Sequence, residues 1–196
     1  MHALFPNSAV VMNAMNIELL QWLTAGSAPS SALLFVARLA ALWGTWACAA
    51  TIAWAAWHRR ADALYLLAVI AGAALASVLS HAIAVHLSIA RPFVAGWAPA
   101  YIAHGNSASL PSTHATVMFF VAAALLLRSG QLRTGIVALA LACIVGWARV
   151  YVGVHYPLDI AAGLMLGASM AVVLGLAWRP HRRTPAATEP SYEGAP

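Results

Sequence analysis

Three short polar clusters interrupt a chain that is otherwise almost entirely apolar. The first is the Arg-Pro pair at 91–92, and the second is the Pro-Ser-Thr-His segment at 111–114. The third places Arg149, His155 and Asp159 within a single stretch of the sequence. Because ionisable groups are costly in apolar surroundings, such clusters usually mark a functional site.

The side chains of these clusters suit an anion of the phosphate type. Arg91 and Arg149 offer planar forks for phosphate oxygens, and Ser112 stands at the predicted start of a helix, where free backbone N–H groups also bind anions. His155 precedes Asp159 by one helical turn, so the carboxylate could keep one ring nitrogen protonated and leave the other free to attack. No motif supplies a metal site, which favours metal-free phosphoryl transfer through a phosphohistidine.

The rest of the chain has the composition of an integral membrane protein. Of its 196 residues, 63% are hydrophobic and 8% are charged, whereas about a quarter of the residues are charged in a soluble domain. This argues against a soluble globule, a disordered chain, a coiled coil and a nucleic-acid-binding protein. The apolar runs predict an all-α polytopic bundle of about five transmembrane helices. They are 31–57, 62–89, 111–127, 134–152 and 157–178.

Residues 9–25 precede these runs and mix apolar with polar side chains. Met15, Leu19 and Trp22 recur at helical spacing, which favours an interfacial amphipathic helix, with a sixth span as the alternative. Residues 1–178 are therefore expected to form a single membrane-embedded domain. The tail at 179–196 is rich in Pro, Thr, Ala and Glu and is predicted to be disordered and cytoplasmic.

The distribution of arginine predicts how the chain crosses the membrane. All ten basic residues are Arg, and a five-span arrangement places seven of them on one side. These seven are Arg59, Arg60, Arg128, Arg133, Arg179, Arg182 and Arg183. The positive-inside rule makes that side cytoplasmic, so the three polar clusters face the outside and the C-terminus faces the cytoplasm.

The spacing of the clusters resembles the motifs of the type 2 phosphatidic acid phosphatase superfamily. Those motifs are Lys-x6-Arg-Pro, Pro-Ser-x-His and Ser-Arg-x5-His-x3-Asp. The stretches LPSTHATV and ARVYVGVHYPLDIAAG are most similar to bacterial undecaprenyl-diphosphatases of the bacitracin-resistance type. The resemblance implies a multi-pass enzyme of the bacterial inner membrane, with a site that faces the periplasm. Its expected reaction is hydrolysis of undecaprenyl diphosphate to undecaprenyl phosphate and phosphate, which recycles the cell-wall lipid carrier.

The resemblance also implies a role for each matching residue. His155 is the expected nucleophile, Asp159 orients it, and His114 protonates the leaving group. The residues implied to bind the substrate phosphate are Arg91, Arg149, Ser112 and Thr113. No metal, cofactor or nucleic-acid partner is expected, and the partners are a polyprenyl or other lipid phosphate and the bilayer.

Two positions depart from the motifs and keep alternatives open. Ala84 stands at the position of the Lys, and Ala148 stands at that of the second Ser. We predict that His81, on the helix face of position 84, partly replaces the Lys in substrate binding. His104, by contrast, is interpreted as a solvated or interfacial residue. The alternatives are a phosphatase for phosphatidic acid, phosphatidylglycerol phosphate or lipid A, a lipid phosphotransferase, and a non-catalytic lipid-binding or transport protein.

Overall fold

The computed structural model describes residues 14–178, and this part of the chain is helical, without strands. Its helices are α1 (Ala14–Leu23), α2 (Ser31–His58), α3 (Ala63–Leu87), α4 (Thr113–Leu126), α5 (Leu132–Tyr151) and α6 (Pro157–Ala177). A single 3-10 turn, Arg60–Asp62, leads into α3. The predicted tail at 179–196 lies outside the described residues.

Four of these helices are long and apolar enough to cross a membrane. They are α2, α3 with its preceding turn, α5 and α6. The predicted polytopic helical bundle is confirmed, and the observed bounds lie within about two residues of the predicted runs. α4 is apolar but has only 14 residues, which extend roughly 21 Å, less than the hydrocarbon thickness of about 30 Å. α4 alone is therefore too short to span the hydrocarbon.

α4 forms the centre of the bundle. It packs against α3, α5 and α6, and none of the exposed large apolar side chains belongs to it. The contact with α6 is close because α6 presents Gly163 there. A Cβ atom at Gly163 would lie 2.9 Å from the Ser112 carbonyl oxygen and 2.8 Å from the Ala115 Cβ. The absence of that side chain lets the start of α4 approach the start of α6.

The outward surfaces of the other long helices are apolar. Trp43, Trp46 and Trp54 on α2 are more than half exposed, as are Leu64 on α3 and Met165 on α6. A soluble monomer rarely exposes so much contiguous apolar area. Acyl chains of a bilayer cover such a surface without the cost of contact with water, in agreement with a membrane protein.

The described part of the N-terminal segment is a helix of ten residues. α1 extends roughly 15 Å, lies against α5 and α6, and exposes Met15 and Trp22. On its other face Leu20 is fully buried, and Asn16 Oδ1 accepts a hydrogen bond from the Leu158 backbone N–H at 3.2 Å. The remainder of the predicted interfacial helix, 9–13, lies outside the described residues.

One buried carboxylate joins the ends of the helices that are remote from the polar clusters. Asp62 Oδ1 accepts from Arg128 Nε at 3.0 Å and from Nη2 at 2.7 Å. Its Oδ2 accepts from Gln131 Nε2 at 3.0 Å. Arg128 also lies over the ring of Tyr65, 4.9 Å from its centroid. These contacts fasten the α4–α5 connection to the start of α3.

Candidate active site

The three polar clusters meet at one end of the bundle. The ends of α3 and α5, the starts of α4 and α6, and the 88–112 connection bring them together. Five of the predicted site residues are at most 6% exposed. They are Arg91, Ser112, Arg149, His155 and Asp159. The sequence clusters are thus one buried polar site in an otherwise apolar protein.

Asp159 holds His155 in a defined orientation. Asp159 Oδ2 lies 3.1 Å from His155 Nδ1 and accepts from the Tyr156 backbone N–H at 2.8 Å. Ser109 Oγ donates a third hydrogen bond to the same oxygen. Because a carboxylate accepts hydrogen bonds, Nδ1 carries the proton of the neutral ring and Nε2 carries the lone pair. The predicted spacing of one helical turn therefore gives the predicted contact.

The guanidinium of Arg91 is fully hydrogen-bonded to groups of the protein. Its Nε donates to the Ser107 carbonyl at 2.8 Å, and its Nη2 donates to Ser107 Oγ and to the Ala108 carbonyl, each at 3.1 Å. Its Nη1 donates to the Val154 carbonyl at 2.9 Å and to His155 Nε2 at 3.0 Å. All five N–H donors thus have partners. Arg91 fixes the long connection and also contacts His155 Nε2.

The charges around His155 favour its neutral form. Burial, followed by the positive charges of Arg149 and Arg91, lowers the pKa of His155 well below its usual range. Burial lowers the pKa of Arg91 to about 10, so this guanidinium stays charged at neutral pH. A neutral imidazole retains the Nε2 lone pair that a nucleophile needs, and in this structure that lone pair accepts the hydrogen bond from Arg91 Nη1.

Arg149 differs from Arg91 because only two of its five N–H donors have partners within the part of the chain that the structure describes. Its Nη2 lies 2.9 Å from His104 Nε2, and its Nη1 makes a long contact of 3.4 Å to the Ala41 carbonyl. Its Nε is buried without a hydrogen-bond partner among the described residues, although the side chain is only 3% exposed. A buried donor without an acceptor is costly. An anion with several oxygens would satisfy these donors.

The start of α4 adds the helix terminus that the Pro-Ser-Thr-His segment predicts. Ser112 is the N-cap, its Oγ accepts from the Ala115 backbone N–H at 3.5 Å, and its own N–H donates to the Asp159 carbonyl at 3.1 Å. Thr113 Oγ1 accepts from Ser80 Oγ at 3.1 Å. The first-turn N–H groups of a helix have no intrahelical acceptor and favour anions.

His114 lies in the first turn of α4, partly buried at the edge of this cluster. Arg149, His104 and Arg91 are its ionisable neighbours in this cluster. No hydrogen bond holds its imidazole among the described residues, so its ring nitrogens are open to an incoming group. This position is compatible with proton transfer to a bound substrate.

The interpretation of His104 as solvated or interfacial is wrong. The long connection folds over the site, so that His104 contacts Arg149 and its ring centroid lies 6.3 Å from that of His155 in an edge-to-face arrangement. Ser107 and Ser109, which hold Arg91 and Asp159, were also not predicted. All three lie in an irregular segment, where neither periodicity nor motif spacing indicates which side chains turn inward.

His81 is not placed in this cluster by any described contact. Its side chain is exposed on α3, and Ser88, which shares that helix face in the prediction, donates its hydroxyl to the Val85 carbonyl at 2.7 Å. Ala84 is buried. The role of His81 in substrate binding stays a prediction. Ala148 is fully buried beside Ala37 and Ala41 in a small apolar cluster.

The long apolar helices and the buried cluster of histidine, carboxylate and arginine groups are those of a membrane protein with a polar site inside its bundle. The sequence profile of the PAP2 superfamily matches residues 62–183. This match covers more than half of the chain and includes all three polar clusters. The chain therefore belongs to the PAP2 superfamily of phosphatases.

Curated relatives match over a shorter region. YbjG of Escherichia coli (strain K12) is 37% identical over 89 residues, which are 45% of this chain and 44% of YbjG. The undecaprenyl-diphosphatase BcrC of Bacillus subtilis (strain 168) is 34% identical over 85 residues, 43% of this chain and 41% of BcrC. The matches thus span under half the length of these relatives.

Two solved structures share the fold. Aquifex aeolicus LpxE superposes with a TM-score of 0.70 at 21% identity, over 86% of this chain and 99% of LpxE. A PAP2-type phosphatidylglycerolphosphate phosphatase from Bacillus subtilis superposes with a TM-score of 0.66, also at 21% identity, over 91% and 93% of the two chains. These likenesses show that the helical fold is shared over nearly the whole bundle.

Proposed function

We propose that this protein is an undecaprenyl-diphosphate phosphatase that hydrolyses the lipid diphosphate to undecaprenyl phosphate and inorganic phosphate. Membership of the PAP2 superfamily supports the phosphatase chemistry. The similarity to BcrC of Bacillus subtilis, an undecaprenyl-diphosphatase, supports the choice of lipid. A site at the ends of the membrane helices suits a substrate whose polyprenyl chain remains in the bilayer while its diphosphate leaves it.

In the first step of the proposed mechanism His155 is the nucleophile. The Arg91 Nη1–H that is bonded to Nε2 turns to a phosphoryl oxygen, and the freed Nε2 lone pair attacks the terminal phosphorus. An N–P bond forms as the bond from phosphorus to the bridging oxygen breaks. Asp159 holds Nδ1–H and stabilises the positive charge that develops on the ring. His114 donates a proton to the leaving oxygen of the lipid monophosphate.

In the second step water hydrolyses the phosphohistidine. The water oxygen attacks phosphorus, the N–P bond breaks, and the electron pair returns to His155 Nε2. His114, now neutral, accepts a proton from the water. Inorganic phosphate leaves, and both histidines return to their starting forms without a redox change.

Arg149 is proposed to bind the transferred phosphoryl group. Its unpartnered Nε and its weakly held Nη1 are donors that a phosphoryl oxygen would satisfy. Arg91 Nη1 lies 3.0 Å from the attacking nitrogen, so it reaches the oxygens of a phosphorus bound there. Ser112 and the backbone around Thr113 complete the oxygen contacts.

A single observation carries the proposal: a histidine with an oriented lone pair lies beside a buried arginine with unfilled donors. The test is phosphate release by the purified protein from undecaprenyl diphosphate, in the presence of EDTA. The lipid panel also contains phosphatidic acid, phosphatidylglycerol phosphate and lipid A. The highest kcat/KM on undecaprenyl diphosphate, abolished in His155→Ala, is the expected result.

Other outcomes of this panel identify the alternatives. Higher kcat/KM on another lipid phosphate would change the substrate but keep the mechanism. Transfer of labelled phosphate to an added lipid acceptor, instead of to water, would indicate a phosphotransferase. Binding of lipid without phosphate release from any member of the panel would refute an enzymatic function.

We also propose that the site faces the periplasm of a bacterial inner membrane. The arginine-rich connections at Arg59, Arg60, Arg128 and Arg133 lie at the opposite end of the bundle from the site, where Arg128 binds Asp62. The positive-inside rule then assigns the site end to the outer side. An outward site would meet the lipid carrier on the leaflet where its diphosphate is released.

A further inference from the structure

His104 occupies a position that the three motifs do not account for. It lies in the connection between the first and second clusters, partly buried, with Nε2 at 2.9 Å from Arg149 Nη2. Its Nδ1 lies 3.1 Å from the Gly105 carbonyl oxygen. Since a carbonyl only accepts, Nδ1 carries the proton of the neutral ring, and Nε2 accepts from Arg149.

A phosphoryl oxygen that binds the unfilled donors of Arg149 lies close to His104, because Nε2 of this ring accepts from the same guanidinium. Two acceptors held by one guanidinium are neighbours, and the phosphoryl oxygen carries a negative charge. A neutral His104 would then present its Nε2 lone pair to a negatively charged oxygen. Protonation of Nε2 removes this repulsion, because the ring then donates a hydrogen bond to the oxygen.

The connection is held firmly enough to keep the ring in this place. Tyr101 N–H donates to the Val152 carbonyl at 3.0 Å, and Arg38 Nε donates to the Tyr101 carbonyl at 2.7 Å. Three residues further along, Ser107 is held by Arg91. His104 is therefore bracketed by fixed backbone on both sides.

We propose that His104 is a phosphate-binding residue that takes up a proton when phosphate binds and then donates a hydrogen bond to it. The inference deepens the proposed function, since it concerns the same phosphate site. The proton comes from bulk water, and no covalent bond of the substrate changes in this step. With Ala84 at the position of the motif lysine, a protonated His104 adds a positive charge to those of Arg91 and Arg149.

The charges around His104 determine whether its ring is protonated before and after phosphate binds. Arg91 and Arg149 face it from the first and third clusters, and His114 and His155 face it from α4 and from the α5–α6 connection. Burial, followed by the two arginine charges, lowers the pKa of His104. The ring is accordingly neutral near neutral pH. The negative charge of a bound phosphate acts in the opposite direction and favours the protonated ring.

The test measures binding of inorganic phosphate to the purified full chain by isothermal titration calorimetry. Titrations at pH 7 in two buffers of different ionisation enthalpy give the number of protons taken up. His104→Gln keeps hydrogen-bonding groups but does not titrate in this range. We expect this variant to bind phosphate on the order of tenfold more weakly and to take up fewer protons than the native chain.

Two further variants separate this role from a structural one. His104→Lys keeps a positive charge, so it is expected to bind phosphate more tightly than His104→Gln, without the proton uptake. His86→Gln is the matched control, because His86 is an exposed histidine on α3 outside the site, and its phosphate affinity is expected to be native. His81→Gln tests the competing prediction on the lysine position.

The inference is overturned if His104→Gln binds phosphate within twofold of the native chain and with the same proton uptake. If that variant does not fold, His104→Lys decides. The native affinity should fall more steeply from pH 6 to pH 8 than that of the Lys variant, and parallel profiles would overturn the inference. The two proposals can fail separately. If His104→Gln loses phosphate affinity while the native chain hydrolyses no lipid of the panel, the proposed function is refuted and the phosphate-binding role of His104 is supported.

Discussion

Replacement of Asp159 by Asn tests the orientation of the nucleophile most directly. The change keeps the size of the side chain and removes its negative charge. Asp159 Oδ2 accepts hydrogen bonds from three donors: Ser109 Oγ, His155 Nδ1 and the Tyr156 backbone N–H. An Asn presents either its oxygen or its NH2 group to these three donors.

Each orientation of the amide weakens His155 as a nucleophile. If the oxygen faces the donors, the ring keeps Nδ1–H but loses its charged acceptor. A hydrogen bond to a charged group is worth roughly 1.5–3 kcal/mol, so its loss would lower the rate by about 10- to 150-fold. If the NH2 group faces His155, Nδ1 must accept and the proton moves to Nε2, where it blocks attack. The corresponding change in a Ser-His-Asp triad lowers kcat about 10⁴-fold.

We therefore expect kcat of Asp159→Asn to fall by a factor on the order of 10 to 10⁴. The assay is phosphate release at saturating lipid diphosphate, and a thermal melt confirms that the variant is folded. Ser109→Ala is the matched control, since it removes one neutral donor and leaves the charge, with an expected loss of about tenfold or less. The reasoning would be refuted if kcat of Asp159→Asn stayed within tenfold of native. It would also be refuted if Asp159→Asn lost less activity than Ser109→Ala.

Four further predictions concern the acid, the pH profile, the topology and the packing. His114→Ala should slow hydrolysis of the lipid diphosphate strongly but spare an activated phosphate ester, whose leaving group needs no proton; equal losses on both substrates would contradict a role as the acid. Attack requires neutral His155, whose pKa is lowered, so the imidazole of His155 should stay neutral in nitrogen NMR spectra as the pH falls through 6.5; protonation of this ring centred near pH 6.5 would count against the buried nucleophile. A tag at 94–109 should be labelled from outside intact cells and a reporter after Arg183 should be cytoplasmic, and the reverse labelling would overturn the arginine-based orientation. Gly163→Val should lower the thermal midpoint of the protein, because a Cβ at 163 lies 2.9 Å from the Ser112 carbonyl oxygen; an unchanged midpoint would show that α4 and α6 have room to separate.

The helices could be predicted from the sequence because each depends on a local property. Long apolar runs bounded by Arg, Pro and Gly decide where a chain can cross a bilayer, and α2 and α6 begin at the predicted residues, Ser31 and Pro157. The short α4 was foreseen for the same reason. Its start at Thr113 follows a serine N-cap, and that sequence signature is local as well.

The 88–112 connection could not be predicted because its conformation depends on partners far along the chain. His104 turns inward to a residue 45 positions away, and Ser109 reaches one 50 positions away. Both contacts exist only after the helices have assembled. A histidine flanked by Ala and Gly in an irregular segment carries no periodic signal, so its solvated interpretation was the ordinary one.

The two arginines of the motifs show why residue type alone does not define a role. Arg91 and Arg149 are both buried and both lie beside His155 or His104, yet Arg91 has protein acceptors for all five N–H groups and Arg149 for two. The difference arises from the backbone around them. Carbonyl groups at Ser107, Ala108 and Val154 surround Arg91, whereas Arg149 emerges from a helix whose own carbonyls are already bonded.

From this difference we infer that the two arginines contribute differently to phosphate binding. A guanidinium that is fully bonded to protein is held in one place, so Arg91 serves mainly to fix the 88–112 connection and to face the attacking nitrogen. A guanidinium with unfilled donors gains more from an incoming anion, because the cost of its buried N–H groups is relieved only then. Substitution of Arg149 by Lys should therefore raise the dissociation constant for inorganic phosphate more than it lowers thermal stability, since Lys keeps the charge but loses the fork. Arg91→Lys should do the opposite and destabilise the fold, because several carbonyl groups of the connection lose their donors. Calorimetry and thermal melts on the two variants measure both quantities, and equal effects of the two substitutions would show that the hydrogen-bond count does not separate their roles.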